Sequence, residues 1–214
     1  MLTLESTGGL VHAYGLAALQ LQRLRNHNIP LTICIDKVAA SGGYMMAVHA
    51  NKIIAAPFAI IGSIGVAAEM PNFHRFLKKH AIDYEQITAG EFKRTLSTFG
   101  ENTGKGRKKM QEDINHAHQL FKNHVKTYRT QLDVDEVATG EVWFGQDALE
   151  RQLIDQLMTS QDYILTTCQK SPVFEISMEQ KKSLGDKISK STKQILSQAK
   201  QTLQQQSQDE GMIR

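Results

Sequence analysis

Only two cysteines occur among the 214 residues, Cys34 and Cys168, and they form no C-x-x-C pair. Their spacing excludes a disulfide framework and a cysteine-based zinc site. Cys34, inside "LTICID", reads as a small buried hydrophobe. Proline is scarce at 4 residues, glycine stands at 15, and 41% of residues are hydrophobic against 22% charged. That balance excludes fibrous and disordered classes. No run approaches the roughly 18 consecutive apolar residues that cross a bilayer, and no charged-then-apolar leader opens the chain. Neither sign of charge dominates, since 25 basic and 22 acidic residues give a net +3 and are mixed along most of the chain. A nucleic-acid partner is not expected. His116 and His118, two apart on a helical pattern, point to different faces, so no metal is expected. "GENTGKG" is one residue short of a phosphate loop and carries Gly106 where Ser or Thr would bind magnesium, so it reads as a solvated turn and no cofactor is expected.

What is present is an α/β rhythm. Short apolar runs at "LTLE", "LTICID", "KIIAAP", "AIIGSIGV" and "DYEQIT" read as strands, and several of the segments between them have helical spacing. Helices are expected at Val11–Arg25, at Gly43–Ala50 and over "NFHRFLKKHAI", with Phe73, Phe76, Leu77 and Ile82 available to the core. A long helix follows over about 106–132, built on Met110, Ile114, Ala117, Phe121, Val125, Tyr128 and Leu132. Beyond it come a strand at Glu141–Trp143, helices at Gln146–Arg151 and "SQDYILTTCQKS", and a last strand at "VFEISM". Trp143, the one tryptophan, reads as a core or interface anchor. The expected organisation is one domain over 1–178 and a Gln- and Lys-rich amphipathic tail over 179–214, partly disordered. Because Met1 leads straight into a strand-like run, further strands are expected to precede it, so that the sheet of this chain lacks its first members.

Two stretches could carry chemistry. Ser41, in "DKVAASGGYMMAVHA", follows an apolar run and begins a helix, where backbone N–H groups favour negative charge. Its surroundings, A-A-S-G-G, match the G-x-S-x-G elbow only in part, because Ala39 replaces the first glycine. By itself the pentad suits a small-residue packing site as well as a nucleophile. "ESTGG" places a glycine pair after a strand, where exposed N–H groups could face a ligand or simply turn the chain. A Ser/His/Asp set could be drawn from Ser41, His49 or His74, and Asp36 or Asp83, but with 8 histidines such sets arise by chance.

Taken together, "LESTGG" with "GLAALQLQRLR", "DKVAASGGYMMA", "GSIGV", "GEFKRTL" and "GEVWFGQDALE" with "LID" resemble the signal peptide peptidase A / SohB family of serine peptidases, and the SohB branch most, over about residues 2–160. The resemblance implies a crotonase/ClpP-like fold, a parallel sheet flanked by helices. It implies a Ser/Lys dyad of Ser41 and Lys93, which stand 93 − 41 = 52 residues apart. It also implies that Ser63 orients the lysine amine, and that Gly42 N–H with the N–H of Gly8 or Gly9 forms the oxyanion hole. Substrates would be peptides, such as cleaved signal peptides, or membrane and misfolded proteins. The assembly would be a homo-oligomer at the inner membrane or its periplasmic side, touching the membrane only through an anchor not found in this chain. For the lysine to act as a base near neutral pH, its pKa must fall by roughly 3 units from 10.4, so it is expected to be buried. Thr7 stands where the family has the proline of S-P-G-G, which removes a restraint on the glycine loop. Two other readings compete: a catalytically silent module for oligomerisation or partner binding, and hydratase-like acyl-CoA chemistry, which has little use for Lys93.

Overall fold

β-Branched residues cluster in the central strands, and parallel pairing buries them on both faces. The computed structural model describes residues 1–177. In chain order its elements are β1 (Leu2–Thr3), α1 (Val11–Asn26), β2 (Thr32–Ile35), β3 (Val38–Ala40), α2 (Gly42–Ala47), β4 (Lys52–Ala55), β5 (Ile60–Gly62), α3 (His74–Lys79), α4 (Gly104–Tyr128), α5 (Val134–Val137), β6 (Val142–Phe144), α6 (Gly145–Glu150), β7 (Gln156–Leu157) and α7 (Ser160–Cys168). Four strands in the order β1-β2-β4-β7 form an all-parallel sheet. A second sheet, β3-β5-β6, pairs β3 with β5 in parallel and β5 with β6 antiparallel. The expected α/β class with a parallel sheet is therefore present.

The core lies where α2 and α4 cover the strands. Ile33, Ile35, Ile53, Ile54 and Ile61 are fully buried, and each contributes about 1.5–3 kcal/mol of hydrophobic stabilisation. Tyr44, also fully buried, directs its hydroxyl to Leu153 O at 2.8 Å. Beside it, Arg129 pairs with Asp155 at 2.9 Å and donates to Gln152 O at 2.7 Å, which ties the end of α4 to the turn before β7.

Several expectations are corrected. "DYEQIT" forms no strand, and Val173–Ser177 of "VFEISM" is likewise irregular, with Phe174 and Ile176 exposed. Both runs have strand composition, which by itself supplies no pairing partner. α3 spans only six residues and buries none of them, so Phe73, Phe76 and Ile82 face solvent rather than the core. β3 and β7, each three residues or fewer, are too short to leave a period in the sequence. The long helix conforms to its expected face only in part: Phe121 and Val125 are buried, while Met110, Ile114 and Ala117 are half-covered. The tail expected at 179–214 lies outside the described residues.

Candidate active site

Ser41 occupies the sharp corner between β3 and α2. Its backbone is at φ +53° and ψ −120°, a region costly for any residue with a side chain, at about 1–3 kcal/mol. Three contacts hold it there. Ser41 N–H donates to Gly62 O at 2.7 Å, Met45 N–H donates to Ser41 O at 2.9 Å, and β3 runs alongside β5 with Ala40 opposite Gly62. A strained serine between a strand and a helix is the geometry of a nucleophile elbow. Because α2 has only six residues, its contribution to an anion comes from local N–H groups rather than from a long macrodipole.

The same register brings Ser63 beside Ser41, since each is the next residue after the paired Ala40 and Gly62. Ser63 also takes a positive φ, +52°, and its N–H donates to Glu141 O at 2.6 Å. His118 of α4 reaches the following residue, with Nε2 3.1 Å from Ile64 O. Two serines in strained backbone thus sit at the ends of adjacent parallel strands.

The glycine loop closes onto this corner. Ser6 extends the second sheet by one bridge to Ala39, with Ser6 N–H donating to Val38 O at 2.9 Å and Ala40 N–H to Ser6 O at 3.0 Å. The chain then turns at Gly8, φ +91°. A Cβ at Gly8 would lie 2.7 Å from Gly42 N and 2.7 Å from Ser41 Cβ, so only glycine fits against the serine. A Cβ at Gly43 would meet Ser6 O at 2.4 Å, which makes that glycine equally obligatory. Gly8 and Gly42 therefore lie against Ser41, and Gly9 lies against the ring of Tyr14.

Lys93 is placed differently. It lies in the irregular segment between α3 and α4, is exposed, and its N–H closes a turn onto Gly90 O at 3.1 Å. The burial expected of it is absent in the single chain. Among the described residues no hydrogen bond joins Lys93 to Ser41 or Ser63. Its loop is docked on the first turns of α4, where Glu91 pairs with Lys105, and Lys105 and Lys109 stand 5.7 and 5.8 Å from the Phe92 ring centre. From those lysines to His118 the helix runs 118 − 109 = 9 to 118 − 105 = 13 residues, about 14–20 Å at 1.5 Å per residue. The described residues bring the two serines together with Gly8 and Gly42, while Lys93 forms no hydrogen bond with either serine and its loop packs on the first turns of α4.

Of the rival Ser/His/Asp set, His49 is buried among other rings, Asp36 is engaged elsewhere, and no hydrogen bond joins His74 or Asp83 to Ser41 among the described residues. His49 is fully buried eight residues beyond Ser41, past the far end of α2, with its ring 4.9 Å from that of His124 and 4.2 Å from that of Tyr128. Neither His49 nitrogen has a partner among the described residues, and burial, then His124 and Arg25, push its pKa from 6.5 down to about 4. Asp36 is taken up by Ser160, accepting from its N–H at 2.8 Å and from its hydroxyl at 2.5 Å. The residues that sequence reasoning missed at the site are Ser6, Tyr14 and His118. Ser6 meets Tyr14 across eight residues and His118 reaches Ile64 across 54, separations that leave no local pattern.

The family description Peptidase family S49 matches residues 23–173. The chain is 54% identical over 188 residues to the probable protease SohB of Haemophilus influenzae, covering 88% of this chain and 53% of that protein. It is 57% identical over 166 residues to the probable protease SohB of Buchnera aphidicola subsp. Schlechtendalia chinensis, covering 78% and 54%. The chain thus spans about half the length of these curated relatives. Among solved structures it is similar to an enoyl-CoA hydratase/isomerase family member, with a TM-score of 0.40 and 13% identity over 78% of this chain and 46% of the other.

Proposed function

This chain belongs to peptidase family S49, and we propose that it is a serine endopeptidase in which Ser41 is the nucleophile and Lys93 the general base. The observation that carries the reading is the backbone of Ser41, held at φ +53° between β3 and α2 with Gly8 pressed against it. A fold stores strain at a serine where the exposed hydroxyl has work to do. In the reaction Ser41 Oγ attacks the peptide carbonyl while neutral Lys93 takes its proton. Lys93 then returns the proton to the leaving amine, and water hydrolyses the acyl-enzyme through the reverse transfer. Ser63, adjacent in the parallel register, accepts a hydrogen bond from the lysine amine and aims it. Gly42 N–H and an N–H of the Gly8–Gly9 loop receive the oxyanion. No cofactor takes part. The substrates are peptides or proteins, with cleaved signal peptides and membrane or misfolded proteins as the first classes to try.

Lys93 needs a drier setting than the single chain offers. The segment that carries it exposes Phe73, Phe76, Ile82, Ile87 and Phe99, a stretch of apolar surface that water does not favour. A second copy of the chain seated on this face would cover the loop and exclude water from the lysine. A homo-oligomer is therefore part of the proposal. One observation favours a second reading, that of a silent oligomerisation module: Lys93 is exposed and makes no hydrogen bond to Ser41 or Ser63 among the described residues. Hydrolysis of a denatured protein substrate separates the two. The dyad predicts that Ser41→Ala abolishes cleavage and that Lys93→Ala lowers it on the order of 10²–10⁴-fold. Equal rates in all three proteins would leave the dyad without support.

A further inference from the structure

Two hydroxyls beside the glycine loop belong to no step of the proposed reaction. Ser6 Oγ and Tyr14 Oη are 2.8 Å apart, and Ser6 Oγ accepts the N–H of Gly8 at 3.2 Å. Tyr14 lies on α1, eight residues from Ser6, and is half-buried. Its ring does a second thing. A Cβ at Gly42 would meet Tyr14 Cγ at 2.3 Å and a Cβ at Gly9 would meet Tyr14 Cε2 at 2.9 Å, so one aromatic ring touches both glycines. A rigid ring in contact with two backbone segments fixes the separation between them, and the hydroxyl at its tip fixes the loop's rotation.

We propose that Tyr14, acting through Ser6, is the positioning residue of the oxyanion hole, and that it selects Gly9 N–H rather than Gly8 N–H as the partner of Gly42 N–H. Gly8 N–H is already engaged by Ser6 Oγ. Gly9 N–H has no acceptor among the described residues, and Gly9 itself is exposed. A hydroxyl offers one proton and two lone pairs. Ser6 Oγ can therefore hold Gly8 N–H while it exchanges its second bond with Tyr14, and the pair spans the turn without drawing on the hole. The arrangement also supplies a restraint at a loop where Thr7 leaves the backbone freer than a proline would. An oxyanion donor stabilises a transition state only if it is aimed before the charge appears, so loss of the restraint lowers kcat more than it raises KM.

The catalytic consequence rests on the Ser41/Lys93 reading, whereas the hydrogen-bond chain does not, and the test reads them separately. In the ¹⁵N-labelled full chain, Tyr14→Phe keeps the ring and removes the hydroxyl, Ser6→Ala removes the acceptor, and Ser6→Thr restores it. Amide exchange at Gly8 should quicken about tenfold in Ser6→Ala and to a lesser degree in Tyr14→Phe, and return toward the original rate in Ser6→Thr. Gly8 exchange that is unchanged in both Ser6→Ala and Tyr14→Phe overturns the inference, whether or not the chain cleaves peptides. In hydrolysis assays Tyr14→Phe should lower kcat roughly tenfold with KM held within about twofold, at an unaltered melting temperature. A kcat that stays at the original value, or a change confined to KM, also overturns it. Hydrolysis that persists in Ser41→Ala sinks the dyad itself, and the exchange data then still decide the role of Ser6 and Tyr14 in the loop.

Discussion

Two regions of this chain carry the residues of one proposed reaction, and they are built in opposite ways. The Ser41 corner is made from parallel strand ends, a six-residue helix and a bridging loop, with every neighbour of the serine small, buried or both. The Lys93 segment, between α3 and α4, has no strand and is exposed along most of its length. It is nevertheless ordered by its own bonds: Asn72 Nδ2 donates to Ser97 O and Gly100 O, and Phe73 N–H donates to Thr98 O. A Cβ at Gly106 would lie 2.2 Å from Thr95 O, so the segment packs directly on the start of α4. The contrast is between a corner built from strand ends and an exposed loop, and under the proposed reading only the second needs a cover.

Breaking the first region should have the larger effect. Gly8→Ala puts a methyl group 2.7 Å from Gly42 N and 2.9 Å from Ala40 O, at a φ of +91° that side chains avoid. Cleavage should fall on the order of 10²–10³-fold, since the loop must withdraw from the oxyanion position. Steady-state kinetics measure this, and an active Gly8→Ala enzyme would detach the loop from the chemistry.

An intermediate effect is expected in the second region. Replacing Phe73 and Phe76 together by serine removes exposed apolar surface, so stability should change by only about 0.5 kcal/mol per site. Self-association in sedimentation velocity should weaken, and activity should drop with it on the order of tenfold, equivalent to about 1.4 kcal/mol in the barrier. Loss of activity without loss of association would break the proposed link between covering and catalysis.

The smallest effect on catalysis, though visible in stability, comes from the far end of α2. His49 titrates near 6.5 when unfolded and at about 4 in the fold, because burial disfavours the charged ring beside His124 and Arg25. His124 is lowered in the same direction by its own burial, although its bond to Met45 O opposes the shift. The unfolded chain therefore binds more protons between those values. Stability is full above about 6.5 and is lost as pH falls toward 4. Thermal melts across that range should show the decline, and His49→Phe should flatten it. A flat profile in the original protein would contradict the neutral buried histidine.

The sheet was legible wherever the apolar runs were long enough to show their period. β2, β4 and β5 stood out as isoleucine-rich segments, and α1 and α4 as helical repeats. The misreading of "DYEQIT" and of Phe73, Phe76 and Ile82 has a common physical cause. Apolar residues were assigned to the interior, but composition does not distinguish a core face from a face reserved for another surface. At the site, Ser41 and the Gly8–Gly9 pair could be singled out locally because each follows a strand-like run, whereas Ser63 and Lys93 were named only through the family resemblance. Tyr14 lies within the expected helix Val11–Arg25, and only the fold shows its ring lying across Gly9 and Gly42. The exposure of Lys93 could not be read at all, since burial of a loop depends on what covers it.

The central claim, that the strained Ser41 is a prepared nucleophile, is tested most directly by a fluorophosphonate probe applied to the full chain, with the adduct located by peptide mass analysis. The account predicts a single adduct on Ser41, formed much more slowly in Lys93→Ala and not at all in Ser41→Ala. Labelling that persists at full rate in Ser41→Ala, or an adduct mapped to another serine, would contradict it.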